Sequence, residues 1–94
     1  MTKDQVLAAA KKYEDLLYAS PPERADTALI CRFDGGLCKS DVLGHVRWMC
    51  LEIPNLVKGD RLPKAERWLG FIQGVLWAHG FESIDAFKND NRST

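Results

Sequence analysis

The chain has 94 residues, 46% hydrophobic and 28% charged, with thirteen basic residues balancing thirteen acidic ones. That length suits one domain rather than two, and limits folding to burying roughly 60–65% of the surface the unfolded chain exposes. Zero net charge argues against a general nucleic-acid binder or a membrane-surface binder, both of which usually carry excess positive charge.

The first predicted element is a helix. Thr2 and Gln5 fit a capping box, in which the Thr oxygen accepts from the backbone and the Gln side chain reaches back. Val6, Leu7, Ala10, Tyr13 and Leu17 then share one face, with Lys11, Lys12 and Asp15 on the other. The Ser20-Pro21-Pro22 run stops the helix, because a proline disfavours helical geometry at the residue before it. The opening "MTKDQVLAAAKKYEDLLYAS" lacks the long apolar core and cleavage site of a secretory signal. Three cysteines, Cys31, Cys38 and Cys50, cannot all pair within one chain. The expected setting is therefore a reducing cytoplasm. No apolar run approaches the ~18 residues that a membrane helix needs, and no membrane association is expected.

Residues 21–39 admit several readings. Ser20 and Glu23 could cap a short helix beginning at Pro21. Residues 29–33 could instead form a strand before a turn at Asp34-Gly35-Gly36, although the return arm Leu37-Cys38 is very short. An irregular connection with one helical turn is the favoured expectation.

A second helix is predicted from Ser40 as N-cap, with Asp41 at the positive end of its dipole. Val42, Leu43, Val46, Met49, Cys50 and Ile53 form its apolar stripe. Pro54 is expected to kink or end it, with a further turn at residues 56–58 and Gly59 at C′. A third helix begins near Pro63 and runs to His79, stopped by Gly80. Ser83 caps a last short helix at residues 84–88, and residues 89–94 read as a frayed polar tail. The expected fold is all-α: a small bundle of three main helices plus a short C-terminal one.

Helical wheels expose an anomaly. In the third helix, Ala65, Trp68, Leu69, Phe71, Ile72, Val75 and Leu76 fill one arc, the predicted core face, with His79 projecting towards its middle at the C-terminal end. Trp77 lies off that arc, in a strip with Glu66, Gly70 and Gln73, and Gly74 sits beside it. In the second helix Trp48 lies nearly opposite the core, flanked by Gly44 and Leu51. Two explanations stand. A small bundle can bury two sides of its central helices, with the glycines allowing close approach. Alternatively Trp48, Leu51 and Trp77 anchor a partner, with Gly44, Gly70 and Gly74 shaping the surface. A homodimer would also cover it.

Other chemistry is less well marked. Cys31, Cys38 and His45 are evenly spaced, and Cys50 or His79 could complete a tetrahedral site, but the close ligand pairs of a zinc hairpin are missing. No metal or other cofactor is expected. His45 falls on the polar side beside Asp41 and Glu52, as a solvated residue. Nucleophile-elbow, phosphate-loop and dinucleotide fingerprints are absent, so no enzyme activity is expected. Lys58, Arg61, Lys64 and Arg67 recur every three residues and form a secondary basic patch. It suits a solvated helix start, an acidic protein surface or phosphates. A helix-turn-helix is disfavoured by the long connection and by the lack of side chains that read base edges.

The stretch "RWLGFIQGVLWAHG", followed by "SIDAFKNDNR" and preceded by "HVRWMC", resembles a group of small phage- and prophage-encoded proteins. These share a tryptophan-rich RWLGF-Q-G--W helix and an -ID-----N ending. The resemblance covers residues 44–92, roughly the C-terminal half, and carries no functional residues with it. It implies a bacterial host cytoplasm during infection, where small phage proteins commonly bind and block host proteins, defence systems included. The expectation is thus a non-enzymatic accessory protein that inhibits or redirects a host protein. The alternative is a small nucleic-acid or nucleotide binder using the Lys58–Arg67 patch.

Overall fold

The computed structural model describes residues 1–19 and 39–92. Among them are four helices and no strand: α1 (Lys3–Leu16), α2 (Lys39–Lys58), α3 (Leu62–Ala78) and α4 (Ile84–Asn91). The all-α bundle read from the sequence is the fold observed. The readings of residues 21–38, with Cys31 and Cys38, lie outside the described residues.

Local chemistry sets the helix ends. The Thr2 hydroxyl accepts from the Gln5 amide at 3.1 Å, and the Thr2 amide donates to Gln5 Oε1 at 2.8 Å, closing the capping box. Helix α2 already includes Lys39, so Ser40 lies within its first turn rather than ahead of it. It continues through Pro54, so the proline does not end it. Ile53 and Val57, on either side of Pro54, are both buried, and packing of this kind offsets the ~3 kcal/mol that an interior proline costs.

The turn after α2 corrects another expectation. Asp60, not Gly59, takes the left-handed conformation, with φ of 58°. The Arg61 amide reaches back to the Leu56 carbonyl at 2.8 Å and the Asp60 amide to Val57 at 3.2 Å. Asp tolerates this geometry better than most residues. Gly59 is held by proximity instead, since a Cβ there would lie 3.3 Å from the Asn55 carbonyl oxygen. At the end of α3 the expectation holds: Gly80 has φ of 78°, and the Phe81 amide bonds the Leu76 carbonyl at 2.9 Å.

Helix α1 packs against α2 and α3, α2 packs against α3, and α4 lies on α1. The core gathers Val6, Tyr13 and Leu17 from α1, Val46 and Ile53 from α2, Leu69, Ile72 and Leu76 from α3, and Phe87 from α4. Phe87 meets Tyr13 edge-on, with ring centroids 5.8 Å apart. Ser83 caps α4 by accepting from the Ala86 amide. Residues 89–91, read as frayed tail, instead form the last turn of α4.

Candidate binding surface

The buried side of α3 is Ala65, Leu69, Ile72, Gln73 and Leu76. Its centre is rotated by roughly 70° from the arc drawn by hydrophobicity, at 100° per residue. Two residues exchange roles as a result. Phe71, expected in the core, is 55% exposed, whereas Gln73, expected on the wet strip, is 8% exposed.

A hydrogen-bond network causes the rotation. Gln73 Nε2 donates to the Tyr13 hydroxyl at 2.8 Å and to Asn91 Oδ1 at 2.7 Å, and Gln73 Oε1 accepts from Asn91 Nδ2 at 3.1 Å. Tyr13 in turn donates to Asp90 Oδ2 at 2.7 Å, and Lys12 Nζ donates to both Asp90 oxygens at 3.1 Å. Every polar group of the buried amide is thereby satisfied, which a buried Gln requires. Burial, and then the Asp90 carboxylate, push the Tyr13 hydroxyl well above the ordinary tyrosine range. The network ties α4 to α1 and α3 and commits this side of α3 to the interior.

The opposite side of α3 faces solvent, and Gly70, Phe71, Gly74, Trp77 and Ala78 are all exposed there. Gly74 sits at the middle of this arc, with Phe71 and Trp77 each about 60° to either side. Trp77 is 55% exposed, as is Phe71. Helix α1 therefore does not cover Trp77; it occupies the Gln73 side. A Cβ built on Gly70 or Gly74 would meet nothing within 4 Å among the described residues. Neither glycine has the positive φ that would demand it. Each weakens the helix by about 1 kcal/mol relative to alanine, with no close packing against another described residue.

Trp48 belongs to a different place. It is half-buried at the junction of α2 and α3, 5.9 Å from the Trp68 ring and stacked on His45 at 5.7 Å. Trp68, expected in the core, is only partly buried, and Lys64 Nζ stands 5.4 Å from its ring centroid. Gly44, expected on the wet face, is buried. Leu51 is 41% exposed, one turn from Trp48. His45, expected to be solvated, is half-buried. Its Nδ1 has no partner among the described residues, and burial lowers its pKa. The sequence-derived set thus splits: Gly70, Gly74 and Trp77 share one open face, while Trp48 joins an aromatic row across α2 and α3. Phe71 was missed because its apolarity fitted a core position.

In the basic patch, Lys58, Arg61 and Arg67 are exposed and make no ion pair among the described residues. Glu66 lies 3.7 Å from the N-terminal amine. Cys50 is 3% exposed, and burial pushes its thiol up to about 12, far from a reactive thiolate. No group of three or more His, Cys, Asp or Glu among the described residues is placed to hold a metal ion. No helix among them is long and apolar enough to cross a membrane. A shallow hollow between α1 and α4, of about 190 Å³, is lined by Gln5, Ala8, Ala9, Lys12 and Asp90. It is smaller than the ~300–1,000 Å³ typical of small-molecule sites. Comparison with protein-family models, curated proteins and solved structures finds no match to the chain.

Proposed function

We propose that this chain is a non-enzymatic binding protein that grips a partner protein with the outward face of α3. The observation that carries the reading is the pairing of two half-exposed aromatics, Phe71 and Trp77, with two open helix-interior glycines, Gly70 and Gly74. Exposed aromatics are enriched among residues that dominate binding energy, and glycine beside them lets a partner approach the backbone. Leu51 and Trp48 are secondary anchors on α2. The resemblance of residues 44–92 to phage and prophage proteins sets the context: an accessory factor in the host bacterial cytoplasm that inhibits or redirects a host protein, with defence components as the target class.

The test is capture from host cytosol by the wild-type chain and by Trp77→Ala and Phe71→Ala, followed by titration of the captured protein in purified form. Each substitution is expected to weaken binding at least ~30-fold, about 2 kcal/mol, without lowering the melting temperature. Wild-type affinity in both variants sinks the reading.

The basic patch supports a second reading, nucleic-acid or nucleotide binding, because Lys58, Arg61 and Arg67 are exposed and unpaired among the described residues. It requires affinity that falls steeply with salt. A flat titration with oligonucleotide at low salt eliminates it.

A further inference from the structure

We infer that the outward face of α3 is self-complementary, and that a second copy of this chain docks there with its own α3 antiparallel and a two-fold axis at Gly74. The inference rests on the same face as the partner-binding reading. It goes further by naming an occupant.

The order of residues about Gly74 is the first argument. Small residues stand at Gly70, Gly74 and Ala78, and aromatics at Phe71 and Trp77, three positions to either side of Gly74. A two-fold axis at Gly74 sets each residue against the one equally far along the other copy. Gly70 meets Ala78 across the seam and Gly74 meets its own counterpart, while Phe71 shares one flank with the second copy's Phe71 and Trp77 shares the other flank with its Trp77. No bulky side chain is opposed across the centre, so the backbones can approach closely. The two aromatic pairs close the flanks. An isologous interface needs this kind of self-matching.

Charge is the second argument. Helix α3 has no acidic residue in its first turn and no basic residue in its last, so neither end of its dipole is compensated by its own side chains. Antiparallel docking sets each positive end beside the other copy's negative end. Arg67, exposed and without an ion pair among the described residues, then lies beside the last-turn carbonyls of the second α3.

Area sets the strength. Half-exposed Phe and Trp rings offer roughly 110–140 Å² each. With the small residues and the Arg67 stem, each copy contributes roughly 400–500 Å², about 800–1,000 Å² in total, below the ~1,200 Å² of a stable interface. The dimer is therefore weak, forms only at high concentration, and excludes the partner-bound form.

Sedimentation of the purified chain from ~10 μM to ~1 mM should show the mass moving from one chain towards two, as a weak interface requires. Gly74→Leu should remain monomeric throughout. Gly74→Ala should raise the melting temperature of the dilute monomer yet weaken self-association at least ~10-fold. With Cys31 and Cys38 changed to Ser, Gly74→Cys should form a disulfide-linked dimer under mild oxidation. Phe71→Cys, which lies about 9 Å along the helix axis from its own counterpart, should not. A wild-type chain monomeric at every concentration overturns the proposal, as does a dimer indifferent to Gly74→Leu or equal cross-linking by both cysteine variants. These measurements use the chain alone, so their failure leaves partner capture standing, and loss of partner capture leaves them standing.

Discussion

Phe71 and Gln73 lie two residues apart on α3, and each is where the other's chemistry belongs. The amide is buried and the ring is half in water. The reasons differ in kind. Gln73 is explained from within the chain, because Tyr13 and Asn91 satisfy both ends of its amide. Phe71 has no such explanation. Neither do Gly70 and Gly74, which no described residue approaches closely. An exception with internal partners marks how the fold is specified; one without them among the described residues is what the proposed contact surface would explain.

The sharpest way to break this comparison is to swap the chemistry at both positions. Gln73→Leu keeps the volume but strands the Tyr13 and Asn91 groups that it bonded, so it should cost about 1–3 kcal/mol of unfolding free energy. Hydrogen exchange in α4 should quicken with it, since the network holds that helix. Phe71→Ala should change stability by about 0.5 kcal/mol or less, as exposed substitutions usually do. Denaturant titration of the two variants decides the matter. Equal losses would mean that Phe71 is as much a part of the fold as Gln73.

The buried network also sets a pH limit. The folded pKa of Tyr13 lies above the reference value of 10.0, and that of Cys50 is raised from 9.0 to about 12, burial being the first cause in each case. The unfolded chain therefore loses these protons first as pH rises, and stability falls with it. The contribution is complete below about pH 9 and drains above it, by up to ~1.4 kcal/mol per pH unit for each group. Cys50's share is exhausted near pH 12, where the folded thiol also ionises. Tyr13→Phe should start less stable yet show a shallower alkaline slope between pH 10 and 12 in thermal melts. An unchanged slope would remove Tyr13 from the account.

Much of the fold was legible because its signals are local. The Thr2–Gln5 box, Ser83 as a cap, Gly80 as a stop and the stripes of α1 and α2 all act within a few residues. The rotation of α3 was not legible. It depends on Tyr13, sixty positions from Gln73, and on Asp90 and Asn91, which read as tail. A hydrophobic wheel counts Phe71 as core and cannot register a distant hydrogen bond. The same limit placed Trp48 on an open face when Trp68 was waiting across the helix junction. One signal was present: a lone Gln inside an otherwise apolar "FIQGVLW" run is either misplaced or partnered.

The smallest predicted effect separates the two sides of α3 most cleanly. Gly70 sits in the helix interior with ordinary backbone angles, and nothing within 4 Å among the described residues opposes an added Cβ. Gly70→Ala should therefore stabilise the isolated chain by about 0.5–1 kcal/mol, read as a higher melting temperature in dilute solution. If the same substitution also weakens contact with whatever covers the face, the two measurements move in opposite directions, and only a surface built for an external contact gives that pair of signs. If alanine instead destabilises the monomer, an internal neighbour is being crowded, and the outward side of α3 belongs to the fold as fully as the side that holds Gln73.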